Sequence, residues 1–229
     1  MTTATIEKAT SVVAAKASAT KVVKGQISID EMVLGRMRIR IVGTSPLIVH
    51  KWDEKVKKEM LDAQMGIPKA AGTPKHAKKD PEADYRASLY IRADKSYGFP
   101  AIGLKAAAVR ACTFMSDMKM TEARGMFHII PDLVMVDGAL LKDDLVKIDG
   151  EPHMRQDMVR VGMGSADIRH RAEFKEWSST FDVEFMAGLF KPEQLINMFN
   201  IAGFAVGIGE WRPQKNGQNG RFEIPRTTK

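Results

Sequence analysis

Apolar and polar residues alternate most cleanly in RMRIRIVG, where Met37, Ile39 and Ile41 are interleaved with Arg38 and Arg40. A period of two predicts a half-exposed strand, and it puts Arg36, Arg38 and Arg40 together on the polar side. Helical spacing takes over at 53–65, 101–116 and 192–203. In the second of these Leu104, Ala108, Ala111 and Met115 form one stripe. In the third Leu195, Met198, Phe199 and Ala202 do so, between Pro192 and Gly203 at the two ends. Val56, Met60 and Leu61 give the first a narrow apolar face. Short helices are predicted behind Asp80-Pro81 and over TEARGMF, and SLYIRADKSYGF reads as a hairpin turning at Asp94 to Ser96. Strands are predicted near 127–130, 133–136, 145–148 and 178–186, and at 206–210 with 220–224. An arginine-bearing hairpin spans 154–175 about Gly162-Met163-Gly164.

The larger elements follow in the order strand (37–42), helix (101–116), strand (128–136), strand (178–186), helix (192–203), strand (206–210 with 220–224). This βαββαβ order predicts an α+β protein with an elaborated ferredoxin-like or RRM-type antiparallel sheet, carrying an inserted basic hairpin and loops. Residues 1–35 read as a flexible basic arm, and 36–229 as a single RRM-like domain with insertions at about 66–99 and 140–175. The insertion opens with the Pro/Lys-rich segment 66–81, long enough for a functional or flexible loop.

Composition changes the picture in two ways. The chain has 35 Lys and Arg against 28 Asp and Glu, a net charge of +7, which favours a polyanionic partner. The single cysteine, Cys112, sits in an apolar run and reads as a core residue, with no intrachain disulfide available to it. No run approaches the ~18 apolar residues of a membrane-spanning helix, and the N-terminus lacks a signal-peptide pattern, so a cytoplasmic location with no membrane partner is expected. There is no GxxxxGK[ST] loop, dinucleotide fingerprint or GxSxG elbow. His76, His128, His153 and His170 show no metal-ligand spacing. We therefore expect no cofactor, no metal and no enzyme.

Three stretches carry candidate chemistry. The first is the Arg36, Arg38, Arg40 face, read as a phosphate-contacting sheet surface or as a solvated one. The second is the 154–175 hairpin, where Arg155, Arg160, Arg169 and Arg171 suit backbone contact with a nucleic acid. Its alternative is an exposed hairpin with salt bridges to Asp157, Asp167 and Glu173. The third, GFAVGIGEWRPQKNGQNGRFEI, joins glycines to phosphate-directed Arg212, Lys215 and Arg221, with Trp211 and Phe222 as faces for base stacking. An ordinary Gly/Asn hairpin with core aromatics is the alternative there. Trp52 adds an aromatic just after the first strand that could stack a base, and His50 a lone titratable ring.

The segments RIRIVGTSPLIVH and GIGEWRPQKNGQNGRFEI resemble the first strand with its T-P-L turn, and the glycine-rich loop with the last strand, of the RAMP superfamily, the RRM-derived backbone proteins of CRISPR effector complexes. These segments cover under a fifth of the chain, and Trp-Arg-Pro and Asn residues stand where the superfamily has a denser glycine run. The resemblance implies that the 154–175 hairpin is an inserted thumb over a bound strand and the 66–99 insertion a finger-like addition. The sequence is also similar to a class of bacteriophage and prophage proteins of unassigned function. The reading is a non-catalytic, phage-encoded single-stranded DNA- or RNA-binding protein of the bacterial host cytoplasm that self-associates on nucleic acid. A phage structural or assembly protein, and a metal-independent RAMP-type ribonuclease using His50, stay open beside it.

Overall fold

Ile39 and Ile41 are almost completely buried while Arg36, Arg38 and Arg40 are exposed, so the alternation along β1 (Leu34–Gly43) separates a core face from an open face. The structure, a computed structural model, describes residues 31–67, 79–116, 118–161 and 165–225. The N-terminal arm up to residue 30, most of the Pro/Lys segment and the Gly162-Met163-Gly164 turn lie outside the described residues. After β1 come β2 (Leu47–Val49), α1 (Glu54–Gln64), α2 (Pro81–Ala87), β3 (Gly98–Pro100) and α3 (Ala101–Ala111). Then follow α4 (Met120–Met126), β4 (Phe127–Ile130), β5 (Leu133–Val136), β6 (Ala139–Lys142) and β7 (Leu145–Lys147). The chain continues with β8 (Pro152–Val161), β9 (Ser165–Phe174), β10 (Ser178–Met186), α5 (Pro192–Ile201) and β11 (Phe222–Glu223).

The main sheet has the order β11-β1-β10-β4, antiparallel at every junction. Counted within the βαββαβ frame, the fourth strand lies beside the first, then the third, then the second. That is the ferredoxin-like arrangement, so the protein is α+β as its sequence predicts. Helices α3 and α5 cover one face, where the rings of Phe127 and Phe181 meet Phe199 with centroids 6.2 and 5.7 Å apart. Cys112 is buried there, its Sγ 4.0 Å from the Met198 sulfur. A second sheet, β2-β9-β8, is built on the long hairpin. Helix α2 lies against it, capped by Asp80, with Ser88 Oγ accepting from the Ala172 amide at 2.8 Å.

Two elements differ from expectation. The 127–130 and 133–136 strands form where predicted, as β4 and β5, but only β4 joins the main sheet, and beyond Pro131 β5 pairs with β6 about Asp137-Gly138, both with positive φ. The hairpin predicted to turn at Asp94–Ser96 is present, the Arg92 amide donating to the Ser96 carbonyl and the Gly98 amide to that of Tyr90, both at 2.9 Å, about an Ile91–Tyr97 bridge, and its second limb runs on to pair with β7. The 206–210 strand does not form. A π-helical turn, Ala202–Val206, extends α5, and Gly207 and Gly209 then turn the backbone with φ of 68° and 74°.

On the open face Arg36, Arg38 and Arg40 stand opposite Glu184, Asp182 and Thr180 of β10. Asp182 is buried and accepts from both neighbours, Arg36 Nη2 at 2.7 Å and Arg38 Nε at 2.7 Å. The Arg38 hydrogen bond, and after it that of Arg36, hold the Asp182 carboxyl below its ordinary 3.8. Arg38 also lies 3.6 Å from Asp132. Asp182 and Asp132 therefore partner Arg36 and Arg38, while Arg40 faces Thr180.

Two predictions follow from this geometry. Gly220 has φ +67°, and a Cβ there would sit 1.7 Å from the Ile208 carbonyl oxygen, whereas Gly138 has φ +80° in open space. Both Ala substitutions cost about 1–2 kcal/mol for a left-handed L-residue, and Gly220→Ala should cost about 1–3 kcal/mol more as an overpacking change, which Gly138→Ala does not. Thermal melts should rank them in that order. Because the folded-state pKa of Asp182 is depressed, its contribution to stability is complete above 3.8 and is lost as pH falls through the folded value. Urea unfolding of Asp182→Asn should show a shallower loss of stability below about pH 4 than the wild type.

Candidate nucleic-acid interface

The arginine hairpin is as well balanced as the sheet face. Along one side of β8 and β9, Arg155 donates to Glu173 at 2.6 Å and Asp157 at 2.9 Å, and Arg169 lies 3.6 Å from Asp167. Arg171 is only 3% exposed, with Nη1 4.0 Å from both Asp157 and Glu210. The salt-bridged alternative describes this hairpin, and the expectation of Arg171 as a phosphate contact is corrected by its burial. Phe222 is corrected too. It is 2% exposed and packs edge-on to Trp177 with ring centroids 6.3 Å apart, so it presents no face to a base. Arg221 is partly buried, with its Nε sequestered and unpartnered among the described residues.

Other predicted residues do reach solvent. Trp211 is 45% exposed, held out by a positive φ of 54°, and Trp52 is exposed after β2. Arg40, Arg160 and Lys215 are exposed and make no ion pair among the described residues. These residues are spread over the main sheet, the hairpin tip and the glycine loop, and they do not converge.

Convergence occurs on the helical side. A groove of about 560 Å³ runs between α3, α4 and the glycine loop, lined by Lys105, Arg110, Arg124 and Arg212. No carboxylate lines it among the described residues. Its floor is apolar, built from Phe99, Val109, Val206 and Ile208, with Ile102 and Met120 at the wall. Each cation is positioned by a local cause. Lys105 borders the Leu104 and Ala108 stripe of α3, Arg110 falls on the side away from it, and Arg124 follows from the last turn of α4. The Arg212 guanidinium is stapled by Nη1 donating to the Gly209 carbonyl at 2.9 Å and Nε donating to Gln214 Oε1 at 3.2 Å. Burial pulls the Lys105 ammonium down from 10.5, and its Nζ lies 3.2 Å from His128 Nδ1. Such a groove attracts an anion with a flat apolar part, which is the description of a nucleotide.

Of these four residues only Arg212 was singled out from the sequence. The signal for Lys105 and Arg110 was present, since AIGLKAAAVRA holds two cations and no acid. A helix with uncompensated charge on its outer side creates a field rather than a solvated ion-pair network.

His50 follows β2 and is half-buried. Burial, then the charge of Arg171, pushes its imidazole below the usual 6.5, so the ring is neutral at neutral pH. Tyr90 donates to the His50 carbonyl at 3.5 Å. Among the described residues no group of three or more His, Cys, Asp or Glu is placed to hold a metal ion, and no helix is long and apolar enough to cross a membrane.

No family model matches this chain, and no curated protein matches it. Among solved structures it is similar to Cmr6 from Pyrococcus furiosus, at 10% identity and a TM-score of 0.39, over 85% of this chain and 100% of that one.

Proposed function

We propose that this protein binds single-stranded nucleic acid, without turning it over, in the groove between α3, α4 and the glycine loop. The observation that carries this reading is the four-cation, carboxylate-free lining of that groove over an apolar floor. Elsewhere Asp182 partners Arg36 and Arg38 on the sheet, and Asp157, Glu173 and Asp167 partner Arg155 and Arg169 on the hairpin. Phosphates bind where positive charge is uncompensated, and bases need an apolar surface that a duplex would not let them reach. Trp211, next in the chain to Arg212, extends the surface with one exposed ring. In this reading the protein is phage- or prophage-encoded and coats a strand in the bacterial cytoplasm, and Arg40, Arg160 and Lys215 add peripheral phosphate contacts.

Titration of a fluorescent oligonucleotide at several salt concentrations tests it. The slope of log affinity against log salt should fall by about 0.7 for each phosphate contact removed, hence by about 1.4 for Arg110→Ala with Arg124→Ala. Arg36→Ala with Arg38→Ala should leave the slope unchanged, and the opposite ranking places binding on the sheet. Trp211→Ala should weaken binding by about 1–3 kcal/mol, one stacking platform, with an unaltered melting curve. Labelled RNA incubated with the protein should stay intact; cleavage that disappears in His50→Ala makes the protein a ribonuclease instead.

A further inference from the structure

The polar side chains along the cationic groove are Lys105, Arg110, Arg124, Arg212 and Gln214. Lysine and arginine only donate hydrogen bonds. Gln214 Oε1 is the one side-chain oxygen in the lining among the described residues, and Arg212 Nε already donates to it at 3.2 Å. That contact fixes which end of the amide is the oxygen and leaves its NH2 group, two more donors, for a ligand. The Gly209 carbonyl is engaged as well, by Arg212 Nη1 at 2.9 Å. The side-chain wall of the groove is therefore a set of donors without an unengaged acceptor.

The size of the groove limits how many of these donors phosphates occupy. A volume of about 560 Å³ is on the scale of one small ligand, so it seats about one or two nucleotides of a strand. Each internal nucleotide brings one phosphodiester charge, and four cations face it. With Arg110 and Arg124 on phosphates, Arg212 and Lys105 remain for the edge of a base lying on the apolar floor. Both are held in place, Arg212 by its two hydrogen bonds and Lys105 by His128 Nδ1 at 3.2 Å and the Phe127 ring at 5.8 Å. The bases differ in what that edge offers. On the side away from Watson–Crick pairing guanine presents two acceptors, N7 and O6, and thymine or uracil presents O4, whereas adenine and cytosine present an amine. An amine pressed against an all-donor wall loses its water and finds no partner, and an unsatisfied donor carries its full desolvation penalty.

We propose that the groove selects guanine and thymine or uracil over adenine and cytosine, with Arg212 and the Gln214 amide beside it as the donors that read the base. The selection rests on the groove being the strand-binding site and adds a sequence preference to it. Gln214 is the specificity-determining position, because its NH2 group is what an exocyclic amine would meet.

Fluorescence titrations with GT-repeat and AC-repeat strands of equal length test the proposal, each in DNA form and, with U for T, in RNA form. The two repeats are matched in charge and purine content, so their phosphate and stacking contributions are alike. In the sugar that binds tighter, the GT or GU repeat should bind about 5- to 150-fold more tightly, the discrimination of one bidentate base contact. Gln214→Glu, an isosteric change at an exposed position, puts an acceptor where the NH2 group was. It should lower both affinities and bring their ratio to one or below. Equal affinities, or tighter binding of the AC repeat, overturn the preference; if both repeats are then weakened by Arg110→Ala with Arg124→Ala, the groove stands as the binding site without it. A preference that Gln214→Glu leaves unchanged overturns the assignment to this wall. Binding of neither repeat overturns the preference together with the reading on which it rests.

Discussion

Three backbone hydrogen bonds tie the turn after β1 to the glycine loop. Thr44 donates to the Arg221 carbonyl at 2.9 Å, Gly220 to that of Pro46 at 2.7 Å, and Glu210 to that of Ile48 at 2.9 Å. Much of the architecture depends on this seam between the two ends of the domain. It holds β11 on the edge of the main sheet, buries Phe222 against Trp177 and fixes the loop from which Arg212 enters the cationic groove. Ser45 reinforces it, its hydroxyl accepting from the Arg221 amide and its carbonyl from Trp177 Nε1, both at 2.9 Å. Each such bond contributes only about 0.5–1.5 kcal/mol net. Their joint effect is geometric, because they leave the loop no other path, and Gly220 is where the path admits no side chain.

The second organising principle is where charge is cancelled. Arginine is abundant on β1 and on the hairpin, but strand geometry sets a carboxylate beside each cluster, Asp182 across the β1–β10 ladder and Asp157, Glu173 and Asp167 along β8 and β9. These pairs favour register and rigidity of the two sheets. Helix α3 has no acid of its own, and the elements packed beside its outer side bring Arg124 and Arg212 rather than carboxylates. The field is therefore concentrated on the helical side of the fold.

Much of the fold was legible because it is written in local periodicity. The period-two run at β1, the stripes of α3 and α5 and the arginine hairpin all stand where their patterns put them, and they suffice for the ferredoxin-like order. The glycine loop was legible as a loop but not as a seam, since Pro46 and Gly220 are neighbours only in three dimensions. The β5–β6 hairpin was missed although Asp137-Gly138 is a strong turn signal, because 133–136 was counted together with 127–130 as one strand of the βαββαβ order. The site was less legible than the fold. Which arginines are free depends on partners far along the chain, as Asp182 is from Arg36 and Arg38. The face of Phe222 is decided by Trp177, and the outer positions of α3 count only once Arg124 and Arg212 stand beside them.

Photocross-linking of a thiouridine-bearing oligonucleotide, followed by peptide mapping of the adducts, tests the central claim most directly. Adducts confined to α3, α4 and the loop around Arg212 are the predicted result. Adducts on the open face of β1 and β10, or along the β8–β9 hairpin, with none in the groove, would contradict it.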